Sequence, residues 1–251
     1  MNQTRRSEIV ELLERQGAVT NAELMEKFDI SIETVRRDLA YLEERGLLER
    51  VYGGAVKRKF MRVEPDYVNR ESVNEREKSA IGKAAAVMVE EGESVFFDIG
   101  TTVLAVAQSL TNQKKFNAFT NSLRTAIALD EKGAEVLLTG GFLRGGEYAV
   151  SGSFAEQMMR LFNVDKAFIG AAGIDENGVT DFIPQEAALR AQVIENARKV
   201  VVVADYSKFG VRASCNVCSL EKIDLLITDD KTPKELLKKF EKKGVTVVVA
   251  K

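Results

Sequence analysis

Residues 95–102 have the composition of a phosphate-binding turn. An apolar run ends at Asp98, and Gly100, Thr101 and Thr102 precede a segment rich in Ala, Val and Leu. This order predicts a buried strand, a tight loop and the N-terminus of a helix. A helix N-terminus presents unpaired N–H groups to an anion, and a glycine allows close approach to the backbone. An ordinary strand-to-helix turn, in which Thr101 or Thr102 caps the helix, fits the same residues.

Four further predicted strands also end in polar residues or glycines. From these ends we assign candidate ligand contacts in addition to Asp98, namely Asn121, Gly141, Gly173, Asp175 and Lys208. Backbone donors, hydroxyls and a lysine suit a phosphate, whereas carboxylates suit the hydroxyls of a sugar. Turns favour the same residue types, so these residues are also consistent with loops that bind no ligand.

The elements that would position these residues alternate between strands and helices. Apolar runs predict strands at residues 95–97, 116–120, 136–139, 166–170, 200–203, 224–228 and 245–249. Helical spacing predicts helices at residues 77–91, 123–129, 153–161 and 185–196, and a lysine-rich helix after Thr232 and Pro233. Such alternation is typical of an α/β fold with a mostly parallel sheet covered on both faces. Ligands of these sheets bind at the carboxyl ends of the strands.

The beginning of the chain predicts a small helical domain instead. Apolar spacing and capping signals indicate helices at residues 5–16, 20–28 and 31–44. Ser31 is the expected N-cap of the third helix. The apolar stripe of that helix should turn Thr34, Arg37 and Tyr41 outward, with Arg36 on its flank. This surface is typical of a recognition helix that binds DNA, although a solvated amphipathic helix has the same pattern.

A basic β-hairpin is predicted directly after the third helix. Residues 47–52 indicate a strand, residues 53–54 its turn, and residues 55–59 a returning strand rich in cations. A wing of this kind can reach the neighbouring groove or backbone of a duplex. The candidate DNA contacts are therefore Ser31, Thr34, Arg36 and Arg37 around the third helix and three wing residues, Arg50, Tyr52 and Gly53.

A length of 251 residues suggests either one large domain or a large domain with a small one. Residues 60–74 are polar and irregular and contain Pro65. We therefore predict a DNA-binding domain at residues 1–60, a linker at residues 61–75 and an effector domain at residues 76–251.

Composition also excludes several kinds of chemistry. The chain has no histidine, which rules out His-ligated metals and Ser–His or Cys–His nucleophiles. Cys215 and Cys218 have C-x-x-C spacing, but a zinc site needs two more ligands, so we predict free thiols, no metal and no cofactor. The formal net charge is −2, so nucleic-acid binding would depend on local charge. No apolar stretch approaches the ~20 residues of a membrane span, and we expect a cytoplasmic protein without membrane contact.

The N-terminal domain resembles the winged helix of the DeoR family of bacterial transcriptional repressors. The resemblance rests on residues 31–39 (Ser-Ile-Glu-Thr-Val-Arg-Arg-Asp-Leu), Leu42, Gly46 and residues 53–55 (Gly-Gly-Ala). It implies that Thr34, Arg36 and Arg37 contact DNA. The family usually has histidine before the paired glycines, where this chain has Tyr52, so the wing contact is expected to differ.

The larger domain resembles the sensor domain of the same family, which is similar in turn to type A ribose-5-phosphate isomerase. The shared features are the Gly-Thr loop at residues 100–102 and the Asp-x-Ser-Lys element at residues 205–208. The similarity implies an isomerase-like fold. It also implies that a phosphate is held by Lys78, Thr101, Thr102 and Lys208.

The isomerase similarity raises a catalytic alternative. Those enzymes carry an Asp-Gly-Ala-Asp turn, whereas residues 170–173 are Gly-Ala-Ala-Gly. Their catalytic Glu lies fifteen residues before the Asp of Asp-x-Ser-Lys, and Arg190 occupies that position. A guanidinium does not act as a general base at neutral pH. Asp175 or Glu186, in a shifted register, would be needed for a sugar-phosphate isomerase-like enzyme.

We therefore expect a DNA-binding repressor of sugar or polyol metabolism genes rather than an enzyme. Its partners would be double-stranded operator DNA and a phosphorylated sugar or polyol effector. One winged helix offers a small contact area, so we also expect a homo-oligomer, a dimer or a tetramer, with paired heads. Release and recruitment of DNA by the effector are both compatible with the sequence.

Overall fold

A winged helix-turn-helix forms the N-terminal head of the computed structural model, which describes residues 2–44, 47–56, 64–111 and 115–251. Its elements are α1 (Asn2–Gln16), β1 (Ala18–Thr20), α2 (Asn21–Phe28), α3 (Ile32–Glu44), β2 (Glu49–Val51) and β3 (Gly54–Val56). The predicted capping box is present, because Glu23 N donates to Thr20 Oγ1 at 3.2 Å and Thr20 N donates to the Glu23 carboxylate at 2.7 Å. Ile9, Leu24 and Leu39 are buried between the three helices.

The wing packs onto the head more closely than the sequence predicts. β1, which the sequence analysis did not identify, pairs with β3 and gives the sheet order β1-β3-β2. Gly54 was expected in the turn but belongs to β3, and a Cβ there would lie 2.0 Å from Val19 O. The turn is at Tyr52 and Gly53, and Gly53 has a φ of +85°. Residues 57–59 of the predicted returning strand lie outside the described residues.

The larger domain contains the predicted strands and several short additional ones. In chain order they are β4 (Ser94–Phe97), β5 (Asn117–Thr120), β6 (Glu135–Leu138), β7 (Phe142–Arg144), β8 (Ala149–Ser151), β9 (Lys166–Ile169), β10 (Gly173–Asp175), β11 (Gly178–Asp181), β12 (Val200–Val203), β13 (Cys215–Cys218), β14 (Leu225–Asp229) and β15 (Thr246–Ala250). Within the described ranges, seven of them form a parallel sheet in the order β15-β14-β12-β9-β4-β5-β6. The remaining strands form the hairpin β7-β8 and the antiparallel sheet β10-β11-β13.

Helices cover both faces of this sheet. They are α4 (Tyr67–Ser72), α5 (Glu75–Ala86), α6 (Thr101–Ser109), α7 (Leu123–Glu131), α8 (Ser153–Met159), α9 (Pro184–Asn196) and α10 (Lys234–Glu241). Along β4, Phe96 belongs to one buried core, whereas Val95 and Phe97 belong to the other. Successive strand residues point to opposite faces, so an entirely apolar run indicates a strand covered on both sides. The expected fold class, an N-terminal helix-turn-helix domain followed by a mostly parallel α/β domain, is confirmed.

The secondary structure differs from the sequence prediction in the linker and in the first helix after it. The predicted irregular linker contains α4. The helix predicted at residues 77–91 begins earlier and ends earlier, as α5 at Glu75–Ala86. The division into domains at residues 1–60 and 76–251 stays a prediction.

The structure also bears on membranes, metals and thiols. Among the described residues, no helix is both long and apolar enough to cross a membrane. In the same part of the chain, no group of three or more Cys, Asp or Glu side chains is arranged to hold a metal ion. Cys215 and Cys218 are free thiols at the two ends of β13, and burial raises the pKa of Cys218 to about 11. The Cys218 thiol is therefore protonated, and unreactive as a nucleophile, near neutral pH.

Candidate functional site

The carboxyl ends of β4 and β9 border a cavity of about 170 Å³. Its wall includes Ile99 and Gly100 after β4, and Gly170 and Ala171 after β9. The order of the strands changes direction here, because β5 and β6 extend one side of β4 whereas β9 and the later strands extend the other. Parallel sheets bind ligands at switch points of this kind.

The N-terminus of α6 opens into this cavity. Gly100, rather than Thr101 or Thr102, is the N-cap, and α6 has no side-chain hydrogen bond at its cap. Gly100 has a φ of +114°, a conformation that side chains disfavour. Thr101 and Thr102 form the first turn and line the cavity. The interpretation of this stretch as a threonine-capped turn is therefore wrong, and the cap residue of α6 has no side chain to bind the first N–H groups of the helix.

Lys78, near the start of α5, lines the same cavity. Its side chain is 6% exposed, and Nζ donates to the carbonyl oxygens of Arg70 and Val73. Burial lowers the pKa of Lys78 to about 8, with Lys208 and Arg70 acting in the same direction and Asp205 opposing them. A neighbouring anion would favour the charged form of this lysine.

Gly82 allows α5, and with it Lys78, to lie close to α6. A Cβ at this position would be 2.5 Å from Ala105 O on the backbone of α6. We expect Gly82→Ala to lower the free energy of unfolding by about 2 kcal/mol, because overpacking against rigid backbone, up to about 3 kcal/mol, outweighs a gain in helix propensity of about 1 kcal/mol. Urea unfolding measures this change. The exposed neighbour Lys83→Ala is the control, and an equal stability of the two variants would contradict the close approach.

Lys208 reaches the cavity from the 3₁₀ helix Tyr206–Lys208, which follows β12. The buried Asp205 caps this helix by accepting from Ser207 N at 3.0 Å, and it also accepts from Asn74 Nδ2 at 3.0 Å. Burial opposes ionisation of Asp205, but Lys208 and the hydrogen bonds from Ser207 keep its pKa below the ordinary value. The Asp-x-Ser-Lys element thus fixes its own loop and presents its lysine to the cavity.

A buried ion-pair triad lies beside the cavity. Arg190 on α9 pairs through Nε with Asp98 and through Nη1 with Asp181. Asp98 is fully buried and also accepts a hydrogen bond from Gly170 N at 3.0 Å, which joins the ends of β4 and β9. Arg190 and Asp181 line the cavity, whereas Asp98 lies behind them. Arg190 is therefore a cation that is already paired with two carboxylates.

The remaining candidate ligand contacts lie away from the cavity lining. Asn121 is buried under the β7-β8 hairpin, and its carbonyl accepts from Val150 N at 2.7 Å. Gly141 and Gly173 lie against neighbouring backbone. A Cβ on Gly141 would be 2.5 Å from Ser151 O, and a Cβ on Gly173 would be 2.3 Å from Val211 O. Asp175 accepts from Asn177 N and pairs with Arg212 at 3.4 Å. The structure thus brings together Lys78, Gly100, Thr101, Thr102 and Lys208 at the cavity. It leaves five predicted contacts outside the lining: Asp98, Asn121, Gly141, Gly173 and Asp175.

Other residues line the cavity that sequence reasoning did not select. They include Ser7, Val10 and Glu11 from α1 of the head, Asn69 and Arg70 from α4, Asn74 before α5, and Phe182 after β11. The polar character of the linker was visible in the sequence, but its folding into α4 and its contact with the cavity were not. Glu186, considered as a substitute base, is held by Arg144 at 2.7 Å and does not line the cavity.

The candidate DNA-binding surface centres on α3. Arg36 and Arg37 are exposed, Thr34 is half-buried, and Thr34 N donates to Ser31 Oγ at 3.4 Å, as expected for an N-cap. In the wing, Tyr52 is fully exposed beside Gly53. Arg50, in β2, pairs with Glu43 at 3.9 Å.

Contacts with α1 hold α3 in place. Asp38 is 1% exposed and pairs with Arg5 at 2.6 Å and with Arg6 at 2.7 Å. Tyr41 was expected to face outward but is half-buried, because the Arg6 guanidinium lies 3.6 Å from its ring centre. The side of α3 next to α1 is therefore an internal contact, and the free surface is the one that carries Arg36 and Arg37.

Comparison with known proteins decides the family. A DeoR-like helix-turn-helix domain matches residues 5–59, and the DeoR C terminal sensor domain matches residues 73–230. The chain belongs to the DeoR family. Among its relatives, the HTH-type transcriptional regulator GlpR of Haloferax volcanii is 41% identical, with 97% of this chain and 96% of the relative covered. The Glycerol-3-phosphate regulon repressor of Escherichia coli K12 is 36% identical, with 93% of each chain covered.

This DeoR-family protein is a DNA-binding transcriptional regulator and not an enzyme, as its helix-turn-helix domain and its regulator relatives indicate. The HTH-type transcriptional regulator GolR of Listeria innocua, 35% identical over 98% of both chains, agrees with this assignment. Ribose 5-phosphate isomerase A from Methanocaldococcus jannaschii is a structural neighbour with a TM-score of 0.42 and 19% identity over 54% of this chain and 55% of that one. A similarity of this size supports no conclusion about activity.

Proposed function

We propose that this regulator is a repressor whose affinity for operator DNA is changed by a phosphorylated sugar or polyol bound in the cavity at the switch point. The observation that carries the proposal is the meeting of Lys78, Lys208 and the first turn of α6 in one cavity. The phosphate would lie at the N-terminus of α6, and the lysines would neutralise its charge. Arg36 and Arg37 of α3, with Thr34 and the wing, would contact the operator.

Three features of the cavity favour a phosphate. The N-terminus of α6 carries the positive end of the helix dipole and has no capping side chain. Lys78 is buried, so its interaction with an anion is screened less than that of a surface lysine. Gly100 permits close approach of the anion to the backbone. Phosphate bound in this way needs neither a metal nor a catalytic base.

The rest of the lining suits a hydroxylated ligand. Asp181 and Arg190 offer carboxylate oxygens and guanidinium N–H groups, and Asn74 and Ser207 offer an amide and a hydroxyl. The relative from Escherichia coli is named for a glycerol-3-phosphate regulon. Glycerol 3-phosphate is therefore the first compound to test, followed by phosphorylated sugars of increasing size.

The position of the cavity supports a coupling to DNA. Ser7, Val10 and Glu11 of α1 line it, and α1 is tied to α3 through the ion pairs of Arg5 and Arg6 with Asp38. A ligand controls DNA binding only if it has different affinities for the binding-competent and released states. Paired heads in a homo-oligomer, a dimer or a tetramer, would give each operator two half-sites.

Thermal-shift screening tests the proposal directly. A phosphorylated effector at about 100 times its dissociation constant should add roughly 2.7 kcal/mol to the free energy of unfolding, with a matching rise in Tm. The parent polyol or sugar without phosphate is the control and should leave Tm unchanged at the same concentration. Equal shifts for a compound and its unphosphorylated parent would contradict a phosphate site.

The effector affinity should also depend on pH. The pKa of Lys78 is about 8 without ligand, and a bound phosphate should raise it, whereas a phosphate monoester already has its second charge above a pKa of about 6. Affinity is then fully present below pH 8 and falls above it, by about tenfold for each unit by which binding raises the pKa. Calorimetric titration between pH 7 and 9.5 measures the decline. Lys78→Met should bind weakly at every pH, and a constant wild-type affinity would contradict the role of Lys78.

A further inference from the structure

The donors assigned to the phosphate are already in contact with the chain itself. Lys78 Nζ donates to the carbonyl oxygens of Arg70 and Val73, and Thr101 Oγ1 donates to the same Arg70 oxygen at 3.4 Å. Arg70 belongs to α4 and Val73 is its C-cap. The last carbonyl groups of a helix have no partner within the helix and carry its partial negative charge. The carbonyl groups at the C-terminus of α4 therefore accept the hydrogen bonds that Lys78 and Thr101 would donate to an anion.

Side-chain contacts hold α4 in this position. The Arg70 guanidinium pairs with Glu147 and, at 3.1 Å, with Glu64, and Arg70 Nε donates to Pro65 O at 2.9 Å. Tyr67 is buried, with the guanidinium of Arg124 4.3 Å from its ring centre. The side chains of Arg70, Glu64 and Glu147 are only 17%, 15% and 9% exposed, so these ion pairs are largely shielded from solvent. Release of α4 therefore breaks these ion pairs, and a ligand that displaces α4 has to offset that loss.

We infer that α4 is a displaceable plug of the effector site, and that its release is the step by which the effector acts on the head. The inference rests on the proposed phosphate site. A phosphate at the N-terminus of α6 competes with Arg70 O and Val73 O for Lys78 and Thr101, so that ligand and docked α4 exclude each other. Because α4 lies between the head and α5 along the chain, its release changes how the head is connected to the rest.

The plug also sets the sensitivity of the regulator. A ligand that binds only the state with α4 released has its apparent affinity reduced by the fraction of molecules in that state. Contacts that dock α4 thus raise the effector concentration needed for a response, although they do not touch the ligand. The side chain of Arg70 makes most of the contacts that dock α4. Its carbonyl oxygen accepts from Lys78 and so competes with the phosphate for that lysine.

Hydrogen exchange of the full chain distinguishes the inference from the proposed function. The probes are glycerol 3-phosphate and inorganic phosphate, each compared with sodium chloride at equal ionic strength. We expect slower exchange at the amides of residues 101–103 and faster exchange in α4, whose Arg70 N and Val73 N bond to Asp66 O and Asn69 O. Protection at residues 101–103 with unchanged or slower exchange in α4 would overturn the plug and leave the phosphate site standing. Unchanged exchange in both segments, with either probe at concentrations up to tens of millimolar, would overturn both.

Arg70→Ala provides an independent test. Loss of a residue that contacts the ligand would lower the affinity for the effector, whereas loss of a residue that docks α4 should raise it. Removing the side chain loosens α4 and leaves its carbonyl groups, so we expect glycerol 3-phosphate to bind roughly three- to tenfold more tightly than to the wild-type chain. The matched control is Arg76→Ala, which removes an exposed arginine of α5 and should leave the affinity unchanged. Weaker binding to Arg70→Ala would mean that the guanidinium holds the ligand, and equal binding would mean that α4 does not compete. Either result would overturn the inference.

Discussion

The Arg37→Ala variant should bind operator DNA about ten- to a hundredfold more weakly than the wild-type chain. Arg37 is exposed on α3, and a lost arginine contact to a base or phosphate costs about 1–3 kcal/mol. Fluorescence anisotropy at one fixed salt concentration measures the change, with a duplex that the protein itself has selected from a random library. Effector binding, followed by calorimetry, should be unaffected because α3 does not line the cavity.

The control for this variant is Arg15→Ala. Arg15 is an exposed arginine in the last turn of α1, in the same head but on another helix. Removing either arginine changes the charge of the head equally, so a general electrostatic attraction would weaken both variants alike. Equal losses, or no loss in Arg37→Ala, would show that α3 is not the recognition helix.

Lys208→Ala should bind operator DNA normally but respond to the effector only at concentrations about ten- to a hundredfold higher. Hydrogen bonds between charged partners contribute about 1.5–3 kcal/mol each, and Lys208 presents its ammonium group to the cavity from the loop fixed by Asp205. The measurement is the effector concentration that half-saturates the change in DNA affinity. Calorimetry of effector binding should give the same factor.

Lys239→Ala, an exposed lysine of α10, is the matched control. It removes the same charge far from the cavity lining and should respond to the effector like the wild-type chain. If Lys208→Ala also responds at wild-type concentrations, the phosphate does not contact Lys208.

The fold of the larger domain could be predicted because its strands are apolar on both faces. Val200, Val201, Val202 and Val203 alternate between the two buried cores, which only a sheet covered by helices explains. The short strands of β7-β8 and β10-β11-β13 carry no such signal. β1 is also short, and it becomes a strand only because Gly54 lets β3 approach Val19 closely. Pairing of this kind is a tertiary effect that local sequence does not encode.

The site was predictable in its phosphate-binding part and less so elsewhere. Thr101 and Lys208 follow strands in the expected way, and both reach the cavity. Asn121 and Asp175 also follow predicted strands, but neither reaches the cavity. Asn121 is covered by the β7-β8 hairpin, and Asp175 pairs with Arg212. Turn-forming residues are common at all strand ends, so residue type alone does not separate the two groups.

Contacts over long sequence distances account for the rest. Arg190 and Asp98 are 92 positions apart and form an ion pair beside the cavity. From the sequence, Arg190 was notable only because an arginine cannot serve as a catalytic base. The structure shows that it forms ion pairs with Asp98 and Asp181. Likewise, the polar linker sequence did not indicate α4 or the hydrogen bonds from Lys78 to the carbonyl groups at its C-terminus.

The most direct test is the affinity of the wild-type chain for its selected duplex with and without a saturating phosphorylated ligand from the thermal-shift screen. Anisotropy titrations at fixed salt should show a change of at least about fivefold, which is the lower end of ordinary allosteric coupling. The unphosphorylated parent compound should have no effect. Equal affinity with and without the ligand, while calorimetry shows the cavity to be filled, would contradict the claim that this site controls DNA binding.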